Sequence, residues 1–183
     1  MEFPKSIKDG DIELVKLEPT FENTKMIFDL IDKNRDFLSE YEEDFSKAKK
    51  PEDEYNYMQF MSKTSNGDYL IKYNGEIVGK AGFWRIVESS KYGELGYWLV
   101  KNATGKGIMT RAIKILENKA FSEWGFNRIE VRTDTENENS KKIMLRLNYH
   151  QDGILRQNCF EHNKFCDTLV YSKLKSEWGK ENA

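Results

Sequence analysis

A predicted strand, a turn with two glycines and an amphipathic helix follow one another near the middle of the chain. This order constrains the fold more than any other sequence feature. Residues 94–100 read as the strand, and Gly105 and Gly107 follow it. The helix carries its apolar side chains on one stripe, namely Ile108, Met109, Ala112, Ile113, Leu116 and Ala120. A crossover helix joins parallel strands, so residues 127–133 are predicted as a strand parallel to the first.

The rest of the pattern places this unit in a mixed sheet. Asn74-Gly75 is a strong hairpin signal between two β-rich runs, residues 69–73 and 77–87. A strand at 11–17 and two or three helices precede the hairpin, and a short helix and two strands follow residue 139. The prediction is an α/β fold with a mixed β-sheet of six or seven strands and helices on both faces.

Composition restricts the class of protein. The 183 residues carry 29 basic and 31 acidic side chains, which excludes a disordered polyelectrolyte and argues against a general nucleic-acid coat. There is no apolar run near the roughly 20 residues that a membrane helix needs, and the first residues do not resemble a signal peptide. Without repeats or linkers, residues 1–183 are predicted to form a single domain in the cytoplasm.

The glycine turn has the chemistry of an anion site. Glycine lets backbone N–H groups approach a ligand, and a helix N-terminus adds free donors and partial positive charge. Residues 101–114 contain four basic and no acidic side chains, which suits a polyanionic ligand. An ordinary glycine-containing turn is the alternative, since the spacing matches neither of the common nucleotide-binding glycine motifs.

Five stretches in order carry a family resemblance: residues 94–99, 105–110, 127–130, 136–140 and 147–149. In this arrangement the chain resembles the GNAT superfamily of acyl-CoA-dependent N-acyltransferases. Within it, the chain is most similar to the Rim-type branch, the ribosomal-protein N-terminal acetyltransferases.

The resemblance implies acetyl-CoA as the acetyl donor. It predicts that the two parallel strands splay apart to form the cofactor slot. The residues expected to contact the cofactor through their backbone are Tyr97, Trp98, Leu99, Thr104, Gly105, Lys106, Gly107, Ile108 and Met109. Thr104 departs from the family, which usually has Gln or Arg at that position, so one long side-chain contact is missing.

The resemblance also assigns candidate catalytic residues. Many GNAT enzymes protonate the leaving thiolate with a tyrosine, but Met144 occupies that position here. The Rim branch uses a serine, which corresponds to Ser140, and a helix N-cap is the alternative role for this residue. Asn137 is expected to serve the cofactor or to form an Asx-turn. Glu94 begins the strand expected to line the acyl site and is the predicted general base, acting through water, with an ordinary surface glutamate as the alternative.

Two further questions are the identity of the general base and the presence of a metal site. Glu130 and Glu136 are further candidates for the base, although Glu130 is expected on the wrong face of its strand. Cys159, His162 and Cys166 offer at most three zinc ligands, without the paired cysteine half of a structural site. Reduced thiols and no metal are therefore predicted.

The resemblance implies an amine acceptor, and the acidic residues 40–44 could attract a cationic one, with a solvated charged loop as the alternative reading of this segment. A protein or peptide N-terminal α-amine is the main hypothesis. A small amine, such as a polyamine, amino sugar or antibiotic, is the second, and a catalytically degenerate CoA-binding module is the third. The predicted partners are thus acetyl-CoA and an amine acceptor, without nucleic acid or membrane and with a homodimer left open.

Overall fold

The computed structural model describes residues 2–62 and 67–181, and among them eight strands form one mixed sheet. The strands are β1 Ser6–Asp9, β2 Ile12–Lys16, β3 Gly67–Tyr73, β4 Glu76–Val87, β5 Tyr92–Leu99, β6 Arg128–Asp134, β7 His150–Glu161 and β8 Lys164–Leu174. Their order across the sheet is β1-β2-β3-β4-β5-β6-β8-β7. The helices are α1 Phe21–Asp32, α2 Arg35–Leu38, α3 Pro51–Met61, α4 Ile108–Ser122, α5 Glu138–Arg146 and α6 Lys175–Glu181.

The mixed sheet confirms the predicted fold class, with one strand more than the six or seven expected. The additional strand is β1, an edge strand that pairs antiparallel with β2. Three of its four residues are exposed. A strand with little buried surface needs no apolar alternation, so its sequence carries none of the usual signal.

The parallel pairing of β5 and β6 is confirmed, and it is short. The two strands pair only at Tyr92–Arg128, Gly93–Ile129 and Glu94–Glu130. Beyond these residues β5 continues along β4, whereas β6 continues along β8. A wedge therefore opens between residues 95–99 of β5 and residues 131–134 of β6, and this gap is called the slot below.

Helices cover both faces of the sheet. On one face, α4 buries its apolar stripe together with Phe83 and Leu95, and Met144 of α5 joins this core. Full burial of one such side chain contributes roughly 1.5–3 kcal/mol. On the other face, α1, α2 and α3 enclose a smaller core around Leu70 of β3. The sheet thus has an α4 face and an α1–α3 face, each with its own hydrophobic core, and the slot can be reached from both.

Helix α4 is also joined to β8 by a buried ion pair. Lys173 Nζ lies 3.1 Å from Glu117 Oε1 and donates to the backbone oxygen of Leu147 at 2.8 Å. The C-terminal segment forms α6, and its Trp178 indole donates to Asn118 Oδ1. None of the helices in the described residues has both the length and the apolar character that a bilayer crossing requires.

Candidate functional site

The glycine turn leaves a set of backbone donors at the start of α4. Gly105 and Gly107 adopt φ of 75° and 74°, a left-handed conformation that favours glycine. Gly107 is the N-cap of α4 and has no side chain with which to cap it. In the described part of the chain, no hydrogen-bond acceptor meets the amides of residues 105–108. Unsatisfied amides at a helix N-terminus can hold an anionic group such as a phosphate.

The side chains around these amides leave room for such a group. A Cβ atom built on either glycine would meet no atom within 4 Å. Ile108 and Met109 are buried in the core, so they present their backbone to the turn, while Lys106 is exposed. Thr104 differs from its neighbours because its amide and its hydroxyl both donate to the backbone oxygen of Lys101. The open donors therefore begin at Gly105 rather than at the predicted Thr104.

The end of β5 forms one wall of the slot and contains three of the predicted cofactor contacts. Tyr97 and Trp98 are half-buried, and Leu99 is buried. All three pair with β4, so the backbone edge that faces β6 has no partner strand over this stretch. The ring of Trp98 lies 6.0 Å from the ring of Phe45, centroid to centroid, on the α1–α3 face.

The other wall is formed by β6 and by the start of α5, where Asn137 and Ser140 lie. Asn137 is the N-cap of the helix, and its Oδ1 accepts the Ser140 amide at 3.0 Å. The N-cap role considered for Ser140 is therefore wrong, since Asn137 fills it. Ser140 lies three residues further along, and its side chain is directed to Tyr97. The two hydroxyl oxygens are 2.7 Å apart, so this hydrogen bond links the two walls of the slot.

Met144 follows Ser140 by one helical turn and is completely buried. Its thioether has no proton to donate, which leaves the hydroxyls of Ser140 and Tyr97, one on each wall, as the proton-bearing groups described next to it. Burial raises the pKa of Tyr97, so its hydroxyl stays protonated at neutral pH. Sequence reasoning gave Tyr97 a backbone role only. The sequence did hold a signal for a side-chain role: Tyr97 lies between Leu95 and Leu99 on the buried side of a strand. A buried phenol hydroxyl usually has a hydrogen-bond partner.

Two carboxylates face each other at the point where β5 and β6 diverge. Glu94 is 2% exposed and lies opposite Glu130 in the parallel register, so both point to the same face. The expectation that Glu130 is on the wrong face is therefore corrected. The single Tyr92 hydroxyl is within hydrogen-bond distance of both groups, at 3.3 Å from Glu94 Oε2 and 3.1 Å from Glu130 Oε1. Arg132 Nε lies 3.4 Å from Glu94 Oε1 and 2.8 Å from Glu130 Oε1.

The environment shifts the pKa values of this pair in opposite directions. Burial raises the pKa of Glu94, and the nearby Arg132 only partly offsets this effect. Burial acts on Glu130 as well, but hydrogen bonds from Arg128 and Arg132 outweigh it and hold the pKa of Glu130 below its usual range. Glu94 is thus the carboxylate better suited to accept a proton near neutral pH. Glu136 is exposed and pairs with Lys164 instead.

Residues 39–46, called the strap, cross from α2 towards the tip of the β7–β8 hairpin. The Glu43 amide donates to Glu161 Oε2 at 2.6 Å, and the His162 amide donates to Glu43 Oε2 at 2.9 Å. His162 Nε2 lies 2.8 Å from the Ser39 backbone oxygen. Since Phe45 packs on β5 and the hairpin belongs to the far side of β6, the strap spans the slot on the α1–α3 face. The predicted acidic segment is part of this strap.

The cysteines and His162 lie apart from the two walls described above. Cys159 and Cys166 are free and directly opposed in the β7–β8 hairpin, and burial raises the pKa of the Cys159 thiol. His162 belongs to the hairpin turn and contacts the strap. Across residues 2–62 and 67–181, no three His, Cys, Asp or Glu side chains are grouped so that they could hold a metal ion.

Comparisons with known proteins agree with this geometry. Residues 14–150 match the family model "Acetyltransferase (GNAT) domain". The chain is 31% identical over 111 residues to the Bacillus subtilis (strain 168) protein YdaF, whose name assigns it provisionally to the ribosomal N-acetyltransferases; this match covers 61% of each chain. This chain thus matches about three fifths of the length of YdaF.

Two further proteins extend the comparison over nearly the whole chain. The ribosomal-protein-serine acetyltransferase of Escherichia coli (strain K12) is 24% identical over 180 residues, which cover 88% of this chain and 93% of the relative. A structure of RimL, a ribosomal L7/L12 alpha-N-protein acetyltransferase in complex with coenzyme A, superimposes with a TM-score of 0.84. The identity is 19%, with 91% of this chain and 95% of that chain covered, so the likeness concerns the fold.

The opposite pKa shifts predict opposite effects of two matched substitutions on stability. A raised native pKa means that ionised Glu94 destabilises the fold at neutral pH, so Glu94→Gln should increase the free energy of unfolding at pH 7. A lowered native pKa means that ionised Glu130 stabilises the fold at neutral pH. Glu130→Gln should therefore decrease the free energy of unfolding there, by about 1.5–3 kcal/mol for its charged hydrogen bonds.

Urea unfolding of both variants and the wild type at several pH values measures these differences. The gain in Glu94→Gln should shrink as the pH falls to the usual glutamate pKa, where wild-type Glu94 is protonated. The loss in Glu130→Gln should shrink only as the pH falls further, through the lowered pKa of Glu130. If both substitutions changed the free energy of unfolding in the same direction at pH 7, the opposite pKa shifts of Glu94 and Glu130 would be contradicted.

Proposed function

Because the chain belongs to the GNAT acetyltransferase family, we propose that it transfers the acetyl group of acetyl-CoA to a protein N-terminal α-amine. The observation that carries this proposal is the slot, which has uncapped amides at the start of α4 on one wall and a buried serine hydroxyl on the other. The names of the relatives support an acceptor of the ribosomal-protein class, and such an acceptor is consistent with action in the cytoplasm.

The donor would lie along β5 and end at the glycine turn. The amides of residues 105–108 suit the pyrophosphate, because they have no acceptor in the protein and belong to a helix N-terminus. The unpaired backbone edge of Tyr97, Trp98 and Leu99 can exchange hydrogen bonds with the amides of the pantetheine arm. Asn137 acts indirectly in this arrangement, since its side-chain oxygen is used to cap α5.

The reaction proposed is direct attack of the amine nitrogen on the thioester carbonyl carbon. Glu94 accepts the proton of the amine through water, which agrees with its burial and raised pKa. When the carbon–sulfur bond breaks, the electron pair stays on sulfur, and the thiolate takes the hydroxyl proton of Ser140. No acyl-enzyme is formed, because Cys159 and Cys166 oppose each other in the β7–β8 hairpin and lie outside the slot walls.

The acceptor would enter on the α1–α3 face beneath the strap. The bonds from the strap to the hairpin enclose this side of the slot, which would suit the end of an extended peptide better than a bulky rigid amine. Exposed Glu42 adds negative charge near the entrance, which favours a cationic amine, whereas neighbouring Asp44 is paired with Lys47.

The test is release of free thiol from acetyl-CoA across a panel of amines. Ribosomal-protein N-terminal peptides should give turnover, and the same peptides blocked at the N-terminus should give none even where they contain lysine. Spermidine, glucosamine and an aminoglycoside represent the small amines. Turnover of these compounds alone would contradict the peptide assignment, and CoA binding without thiol release from any amine would indicate a non-catalytic module.

Ser140→Ala should lower kcat and leave KM for acetyl-CoA nearly unchanged, since the proton is needed only as the thiolate departs. The expected loss is about 10²-fold, the low end for a general acid, because water can partly replace the hydroxyl. A Cys159→Ser, Cys166→Ser double variant is the control and should keep its activity. Wild-type kcat in Ser140→Ala, or an inactive but folded cysteine-free enzyme, would contradict this mechanism.

Valine in place of Gly105 or Gly107 should weaken CoA binding, because a β-branched residue strains the left-handed backbone and blocks close approach of the phosphates. Calorimetry should show Kd raised about tenfold or more in each variant, which corresponds to about 1.4 kcal/mol. The matched control is Gly75→Val in the β3–β4 hairpin, where φ is 86° and the surrounding space is equally open. It should lose stability but bind CoA normally; unchanged affinity in both turn variants would disprove the phosphate site.

A further inference from the structure

We propose that Tyr97 is a positioning residue that acts through Ser140. Its phenolic hydroxyl donates a hydrogen bond to Ser140 Oγ and thereby leaves the hydrogen of Ser140 available to the departing thiolate. This inference rests on the proposed acetyl transfer and adds a residue from the opposite wall of the slot.

The geometry provides the first argument. The two hydroxyl oxygens lie 2.7 Å apart, and in the described part of the chain neither has another hydrogen-bond partner. Two hydroxyls carry two hydrogens, and the bond between them uses only one. The second hydrogen is therefore free to point at a group bound in the slot. Asn137 fixes the backbone of Ser140, so Tyr97 is the group that decides the direction of the serine hydrogen.

The chemistry of the two groups decides which of them donates. A phenol is a stronger acid than an aliphatic alcohol, and an aliphatic hydroxyl oxygen is the better acceptor. The favoured arrangement thus runs from Tyr97 O–H to Ser140 Oγ. Ser140 is 6% exposed, so water has little access to compete for the same oxygen.

This arrangement lowers the barrier for the release of the thiolate. Negative charge develops on Ser140 Oγ as its proton moves to sulfur, and the hydrogen bond from Tyr97 becomes charge-assisted at that moment. Such a bond counts for more in a site with little water, and it requires no reorganisation during the reaction. The serine oxygen then recovers a proton from water after the thiol departs, while the proton of the amine leaves through Glu94, so the proton count balances.

The position in the sequence gives an independent argument. Leu95 and Leu99, which flank Tyr97 on the same side of β5, are both buried in the core of the α4 face, and Tyr97 packs against that core. Phenylalanine would pack there equally well, so packing alone does not account for the hydroxyl group. A partly buried hydroxyl is tolerated when it is hydrogen-bonded, and here its partner is the candidate acid.

A double-mutant cycle on kcat tests the coupling. Tyr97→Phe should lower kcat roughly tenfold and change KM for acetyl-CoA by less than about twofold, as expected for a contact that is strongest in the transition state. Combined with Ser140→Ala, it should cause no further loss, because its effect passes through the serine. Tyr69→Phe is the control: it removes another buried phenol hydroxyl, which donates to the Pro4 backbone oxygen, and should keep the wild-type kcat.

Each other result of the cycle overturns the proposal. Wild-type kcat in Tyr97→Phe would show that the hydroxyl is dispensable. Losses that multiply in the double variant would show a role independent of Ser140. A raised KM with kcat retained would make Tyr97 a residue for cofactor binding only. Thermal unfolding shows whether each variant is folded.

A second measurement does not depend on activity or on the folding of Tyr97→Phe. Fluorotyrosine at position 97 keeps the ring and the hydroxyl, and its ¹⁹F chemical shift at neutral pH reports the surroundings of that group. Ser140→Ala removes the hydroxyl that lies 2.7 Å from the Tyr97 oxygen and should therefore move the resonance, whereas an unchanged resonance would refute the pairing. If the wild type is inactive towards every amine, the proposed function fails, while this resonance still decides whether the two hydroxyls are coupled.

Discussion

The early end of the pairing between β5 and β6 is the constraint on which the site depends. After three residue pairs, each strand keeps only its antiparallel neighbour, and a backbone edge inside the sheet is left without a partner. Buried backbone groups need hydrogen bonds, so an edge of this kind is stable where a ligand or water supplies them. The helices that follow the two strands both begin at the open end, which brings the start of α4 and the start of α5 to opposite walls of one slot.

The point of divergence also organises the electrostatics. Parallel register places Glu94 and Glu130 on the same face, and the unequal distribution of arginines separates their pKa values. Two titratable groups whose environments push their pKa values apart are a common basis for acid–base roles. In the proposed mechanism Glu130 keeps Arg132 engaged, which leaves Glu94 as the carboxylate with affinity for a proton.

Hydrogen bonds across the slot then distinguish its two faces in the proposed mechanism. On the α4 face, the Tyr97–Ser140 hydrogen bond links the walls where the thiolate would depart. On the α1–α3 face, the bonds from the strap to Glu161 and His162 enclose the side where an amine would enter. In the proposed reaction, donor and acceptor would therefore approach from opposite sides of the sheet and meet at the gap, which is consistent with direct transfer without a covalent enzyme intermediate.

The sequence by itself determined the elements whose signals are local. The order of strand, glycine turn and helix predicted the parallel pair, the apolar stripe predicted α4, and the family motifs pointed to Ser140. Three features depended on the tertiary structure: the exposed strand β1, the shared face of Glu94 and Glu130, and the side-chain role of Tyr97. Periodicity reports which side of an element is buried, and it carries no information about which group lies opposite. A hydrogen bond between residues 97 and 140 is set by how two strands diverge, and only the assembled sheet decides that.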